Sequence, residues 1–244
     1  MNKGQLELAK AEVEAVVGKG VMIGDYTVVD ADYSHVFNRI AFTKKIYDLI
    51  IKKSRIVQKK EIVNLNKLNQ FQQRRAHLLP AGHPAMTHPR LARAMVNLSG
   101  ARKEILDPFC GAGGILLEAG LCGLMGVGFD IDNLMLKRAK KNLDAFGIKN
   151  YCLKKHDATL FSGHYEAVVT DLPYGKSTKV TDALERLYAS FFKNVTKNKI
   201  EKMVVGFPDF VDYTGLINKA GLKIEKEFTY YLHKSLSKKI VVIG

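Results

Sequence analysis

The sequence predicts an α/β fold, with a mostly parallel seven-stranded sheet behind a small α+β unit at the front. Three observations carry this. The apolar Ile105-Leu106 runs through Asp107-Pro108-Phe109-Cys110 into Gly111-Ala112-Gly113-Gly114 and then Ile115-Leu116-Leu117. That is a strand, a glycine turn and a helix start, the place where open α/β sheets bind nucleotides. A second strand, within Gly126-Val127-Gly128-Phe129, ends in Asp130-Ile131-Asp132, with an acid about twenty residues beyond the glycine turn. A further apolar run, residues 165–170, ends in Asp171-Leu172-Pro173-Tyr174.

The elements follow in order. Gln5 to Val17 reads as a helix with Ala9, Val13 and Val16 on one face, and residues 21–23 and 26–29 flank Gly24-Asp25 as a hairpin. A second helix is predicted over residues 37–51, making residues 1–55 a small unit of its own. Residues 56–76 are polar and basic and read as a linker. Residues 77–244 form the large domain, with strands near 104–107, 126–130, 150–155, 165–170, 202–206, 222–231 and 238–243. Helical connections imply parallel neighbours, whereas the short link between the last two strands requires an antiparallel pair. Leu184, Leu187, Tyr188, Phe191 and Phe192 recur at helical spacing and are read as core.

The chemistry follows from residue types at the strand ends. Asp107 would repel a pyrophosphate and welcome a cation, which S-adenosylmethionine supplies as an ammonium and a sulfonium. Asp130 is placed to meet ribose hydroxyls. Asp132 instead caps the next helix, in which Met135, Ala139, Leu143 and Phe146 share a face before Gly147. Asp157 follows the third strand and is placed to accept from an adenine amino group. Pro173 holds Leu172 and itself extended, so the Asp171 carboxylate, the Leu172 carbonyl and the Tyr174 face lie close together. Two acceptors and a stacking face suit an exocyclic amino group on a base, stacking being worth about 1–3 kcal/mol per base. The reaction expected is direct methyl transfer to that nitrogen, without a metal.

Composition sets the outer limits. The 244 residues include 38 Lys and Arg against 24 Asp and Glu, a formal charge of +14, which favours polyanions through counterion release. Cys110, Cys122 and Cys152 show no paired spacing, so neither a disulfide framework nor a zinc site is indicated. Neither a signal peptide nor a spanning helix is visible, so the cytosol is the expected compartment.

Asp-Pro-Phe-Cys-Gly-Ala-Gly-Gly, Gly-Phe-Asp-Ile-Asp and Asp-Leu-Pro-Tyr-Gly, in this order, resemble the class I Rossmann-like methyltransferases that modify exocyclic amino groups. Among them the chain is most similar to the archaeal tRNA guanosine N2-methyltransferases. Residues 83–98 resemble the helix that precedes the glycine loop in that family. Leu232-His233-Lys234-Ser235-Leu236-Ser237-Lys238-Lys239-Ile240 resembles its closing His-Arg-Ser-Leu-Thr-Arg-Arg hairpin, with lysine for arginine. The family usually has Asp-Pro-Pro-Tyr where this chain has Leu172.

The resemblance implies S-adenosyl-L-methionine as cofactor, contacted by Thr87, Asp107, Phe109, Gly111, Gly113, Asp130 and Asp157. It implies catalysis at Asp171, Leu172, Pro173 and Tyr174, and tRNA as the partner. A small zinc-binding activator is a further partner in eukaryotic relatives. The front unit resembles part of the family's ferredoxin-like domain. Long-form relatives carry an RNA-binding THUMP domain between the two units, for which residues 56–76 leave no room. Lys59, Lys60, Arg74, Arg75, Lys234, Lys238 and Lys239 are therefore the expected RNA contacts. Other readings are an rRNA guanine N2-methyltransferase, a DNA adenine-N6 or cytosine-N4 methyltransferase, and a non-catalytic RNA-binding subunit.

Overall fold

A computed structural model describes residues 3–23, 26–28, 39–42, 45–52, 55–64, 70–174, 178–233 and 236–244. Its centre is a seven-stranded sheet: β5 (Glu104–Asp107), β6 (Met125–Asp130), β7 (Tyr151–Lys155), β8 (Val168–Asp171), β9 (Met203–Pro208), β10 (Ile224–His233) and β11 (Leu236–Ile243). The spatial order is β10-β11-β9-β8-β5-β6-β7. Neighbours from β9 to β7 run parallel, and β11 is antiparallel to both β9 and β10. The chain winds from β5 to β6 on one side and later returns to β8 on the other. The C-terminal ends of these strands therefore open into the crevice where α/β sheets place their ligands.

Strand alternation sorts the core onto two faces. Ile105, Val169, Val204, Ile240 and Val242 pack with Leu8 and Ala11 of α1 (Lys3–Val17) and with Leu91 and Met95 of α2 (Pro89–Leu98). Leu106, Val168, Val205, Phe207 and Val241 pack on the other face. There they meet Tyr188, Phe191 and Phe192 of α5 (Thr178–Lys197) and Ile217 of α6 (Tyr213–Lys219). The stripe read as core on α5 is core. Leu116 and Leu117 of α3 (Gly114–Leu121) meet Leu143 of α4 (Asn133–Ala145) beside β6.

Strand β8 begins later than expected. Glu166 lies outside it and accepts the backbone N–H groups of Arg102, Lys103 and Glu104 at 2.8–3.2 Å, which joins this segment to the start of β5.

The front segment differs more. Strands β1 (Val21–Ile23) and β2 (Tyr26–Val28) pair as a hairpin, with Gly24 and Asp25 outside the described residues. The helix predicted over 37–51 is not formed. Residues 45–52 are strand β3 (Lys45–Lys52), paired antiparallel with β4 (Arg55–Asn64), which occupies the first half of the expected linker. Ile46 pairs with Val63 and Ile51 with Ile56, and the β-branched and aromatic residues of both segments favour a pleated ladder.

Of the expected linker's described residues beyond β4, 70–76, Phe71 and Arg74 are buried and Gln70, Gln72, Gln73 and Arg75 are exposed. Phe71 is buried, with the guanidinium carbons of Arg74 and Arg90 each 4.8 Å from its ring centre. The buried face of α1 is centred on Leu8, Ala11 and Glu12, not on Val13 and Val16. Glu12 accepts from Ala41 N (2.7 Å), Phe42 N (3.0 Å) and Asn97 Nδ2 (2.7 Å). A buried acid with three donors ties α1 to α2, and the segment expected to stand alone shares the core of the sheet.

Candidate active site

A cavity of about 440 Å³ opens at the ends of β5, β6 and β8, within the size range of small-molecule sites. The described residues lining it include Asp107, Asp130, Asp157 and Asp171, and no Lys or Arg. Such a wall suits a cationic ligand and disfavours a phosphate.

Asp107 ends β5 and is almost fully buried. It accepts from Thr170 Oγ1 (2.7 Å) and Phe109 N (3.2 Å). Burial pushes its carboxyl up to about 7, with smaller contributions from the negative charges of Asp171 and Asp130. Asp130 ends β6 and accepts from Gly111 N (2.9 Å) and from Asp132 N (2.8 Å). The first of these bonds ties the glycine turn to the second strand. Asp132 caps α4 through Leu134 N at 2.7 Å, as the sequence indicates. Asp157 uses one oxygen, Oδ1, for both Thr159 N and Thr159 Oγ1 (2.7 Å each). These bonds hold its carboxyl below the usual range.

Phe109 lines the cavity and stands edge-on to Phe191. Gly113, expected to touch cofactor, lies outside the lining, whereas Gly111 and Gly114 are part of it. Gly113 has φ +84°, and a Cβ there would meet Ala139 Cβ at 3.0 Å. Its role is the turn into α3 and the close approach of α4.

The segment Asp171 to Tyr174 is tethered at each step. Leu172 N donates to Gly206 O at 3.0 Å, and Pro173 O accepts from Tyr188 Oη at 2.6 Å. Tyr174 Oη donates to Asp171 Oδ1 at 2.6 Å. Thr87, expected to contact cofactor, lines the cavity but gives its hydroxyl to Asp171 Oδ2 at 2.5 Å. Leu187, read only as core, also reaches the cavity wall.

The expected RNA contacts fare unevenly. Lys238 is buried and ion-paired with Asp171 Oδ2. Arg74 is buried and paired with Glu118 at 2.6 Å, an acid shared with Arg93 at 2.8 Å. Neither faces a phosphate, because each cation is desolvated and neutralised inside the fold. Lys239 pairs with Glu227 at 2.8 Å. Arg75 is exposed and faces no carboxylate among the described residues. Lys234 and the side chains of Lys59 and Lys60 lie outside the described residues.

Lys238, expected at the RNA surface, is instead buried beside Asp171. Its signal was parity: it shares a strand face with Ile240 and Val242, both buried.

Residues 77–238, more than half of the chain, match the UPF0020 family, described as an RMKL-like methyltransferase domain. The chain belongs to that family. Over 174 residues the chain is 40% identical to the tRNA (guanine(10)-N2)-dimethyltransferase of Pyrococcus abyssi. That match covers 69% of this chain and 53% of the relative. The enzyme of the same name from Methanothermobacter thermautotrophicus is 38% identical over 180 residues, covering 71% and 53%. The chain spans about half the length of these curated relatives.

Among solved structures, TrmN from Thermus thermophilus is similar with a TM-score of 0.58 at 19% identity, covering 78% of this chain and 55% of that one. The Pyrococcus abyssi tRNA (uracil-54, C5)-methyltransferase in complex with S-adenosyl-L-homocysteine gives 0.54 at 16% identity, covering 66% and 41%. These likenesses agree with the class I methyltransferase fold of the sheet. Among the described residues no helix is long and apolar enough to cross a membrane.

Proposed function

We propose that this chain is an S-adenosylmethionine-dependent tRNA methyltransferase that modifies the exocyclic N2 of guanosine, of the guanine-10 type. The observation that carries the reading is the Asp171 carboxylate, anchored by Thr87, Lys238 and Tyr174, at the wall of a cavity otherwise suited to a cation. The curated relatives' names supply the nucleoside.

The cavity fits the cofactor by its donor set. Asp107 would hold the ammonium, Asp130 the ribose hydroxyls and Asp157 the adenine amino group. When bound, S-adenosylmethionine supplies an electrophilic methyl group on a sulfonium.

The chain's own residues handle the base. An aromatic amino nitrogen is a weak nucleophile because its lone pair is delocalised into the ring. Asp171 and the Leu172 carbonyl accept hydrogen bonds from its two N–H groups and help localise the lone pair on nitrogen toward the methyl group, while Tyr174 stacks on the base. Positioning of this kind is worth on the order of 7–11 kcal/mol in well-aligned pairs. Asp171 or water takes the released proton.

RNA grip rests on exposed cations, Arg75 among those described. It stands near His88, whose imidazole burial lowers to about 4, with help from the charges of Arg75 and Arg90. The cytosol is the compartment where such a substrate is met, and a zinc-binding activator would be the helper subunit.

The test is nucleoside mass spectrometry of tRNA incubated with the purified chain and S-adenosylmethionine. N2-methylguanosine or N2,N2-dimethylguanosine is expected. N6-methyladenosine or N4-methylcytidine, or an unmodified tRNA, contradicts the reading.

A further inference from the structure

Asp171 has three side-chain donors, and they divide unequally between its oxygens. Thr87 Oγ1 and Lys238 Nζ both donate to Oδ2, whereas Tyr174 Oη donates to Oδ1. A carboxylate oxygen offers about two lone-pair sites. Oδ2 is therefore saturated, and Oδ1 keeps one site for a further donor.

The lysine reaches this position from two strands away. On β11 its Cα partners are Pro208 of β9 and Tyr230 of β10, while Asp171 ends β8 and pairs with Gly206 of β9. The Lys238 side chain thus crosses the end of β9 to meet the carboxylate. Beside that meeting point the strand is bare. A Cβ at Gly206 would lie 2.6 Å from Asp171 Oδ1, closer than any real side-chain carbon stands.

Burial separates this lysine from a phosphate contact. Lys238 is 4% exposed, although lysines normally keep the ammonium in water and bury only the stem. A desolvated ammonium needs a counter-charge, which Asp171 supplies. The face of Tyr174, with its centre 5.2 Å from Nζ, adds a cation–π contact. One cation therefore touches two of the residues expected to handle the base.

We propose that Lys238 is a positioning residue for methyl transfer: together with Thr87 it locks Asp171 through Oδ2 and so presents Oδ1 to the substrate amino group. The inference rests on the reading of Asp171 as the amino-group acceptor. It assigns the closing hairpin a part in the chemistry rather than in gripping RNA.

The test compares Lys238→Met and Lys238→Arg with wild type, using the whole chain, tRNA and S-adenosylmethionine. Lys238→Met should lower kcat about 100-fold, on the order of 2.7 kcal/mol at 1.36 kcal/mol per tenfold. Cofactor affinity should stay within about twofold, since the interaction lost is made to the base-handling group. Lys238→Arg keeps a cation and should recover at least about tenfold of that loss. A Lys238→Met variant with wild-type kcat but a raised KM for tRNA overturns the proposal in favour of a phosphate contact. An arginine variant no better than methionine overturns it as well.

A crystal structure of Lys238→Met, or of Lys238→Arg should methionine not fold, gives a readout independent of substrate. In the methionine variant the Asp171 carboxylate should turn away from Thr87, and in the arginine variant it should stay bonded to it. The opposite placement overturns the positioning role whatever the activity. Wild-type protein that leaves tRNA unmethylated counts against the proposed substrate alone, and the crystallographic arm then decides the role of Lys238.

Discussion

Thr87 and Asp171 stand 84 residues apart in sequence and share a 2.5 Å hydrogen bond at the cavity wall. Thr87 lies just before α2, where His88 caps the helix by accepting from Arg90 N at 3.3 Å. The bond therefore couples the entry to α2 with the end of β8. It places the side-chain hydroxyl of one motif on the carboxylate of another.

Replacing that hydroxyl should weaken the lock without removing it. Thr87→Val keeps shape and loses one donor to a carboxylate, an interaction worth about 1.5–3 kcal/mol. The expected result is a kcat lowered roughly ten- to hundredfold with the fold intact, as single-turnover methylation would show. A variant with unchanged kcat and raised KM for cofactor would return Thr87 to the cofactor-binding role first expected.

Asp107 makes cofactor binding depend on pH. Its folded value of about 7 lies above the ordinary 3.8. Between these the folded protein holds a proton that the unfolded chain has released. The associated stability is fully present below pH 3.8 and is lost as pH rises through 7. A bound ammonium favours the ionised carboxylate, so binding releases a proton below pH 7. Calorimetry should show S-adenosylmethionine affinity rising toward pH 7.5, by up to tenfold per pH unit below 7. Asp107→Asn should bind weakly with this dependence flattened. A wild-type affinity flat between pH 5.5 and 7.5 argues against contact between Asp107 and the ammonium.

Arg74 and Arg75 are adjacent in sequence and should behave oppositely. Arg74 shares the buried Glu118 with Arg93, so Arg74→Ala leaves a buried acid short of a partner and should cost about 3–5 kcal/mol of stability. Arg75 is exposed. Arg75→Glu should leave the melting temperature nearly unchanged, weaken tRNA binding and flatten its salt dependence, since each neutralised phosphate releases a counterion. Filter binding across a salt series and thermal melts separate the two. Unchanged tRNA affinity in Arg75→Glu would move RNA recognition to another surface.

Much of the large domain was legible because its strands are apolar runs that end in acids. Burial on both faces removes polar alternation from such strands, and Asp107, Asp130 and Asp171 mark where they stop. The front was less legible. Short apolar runs such as Ile46 to Ile51 fit either a strand or a helix, and β4 was obscured by its own lysines. A buried Glu12 broke the apolar stripe of α1 because its satisfying donors, Ala41 and Phe42, are distant in sequence. Lys238 and Arg74 were misplaced for the same reason: a cation looks solvated until its acid is known, and Asp171 and Glu118 lie far away along the chain.

A pair of variants read by two assays separates base handling at Asp171 from cofactor binding at Asp130. Asp171→Ala and Asp130→Ala would each be followed by calorimetry with S-adenosylmethionine and by single-turnover methyl transfer to tRNA. Asp171→Ala is expected to bind cofactor like wild type and to retain under about a tenth of its activity, a loss above about 1.4 kcal/mol. Asp130→Ala is expected to lose about 1.5–3 kcal/mol of cofactor affinity, as for other hydrogen bonds to a charged group. The reverse pattern, or an Asp171→Ala variant that methylates tRNA at more than a tenth of the wild-type rate, would contradict this division of roles.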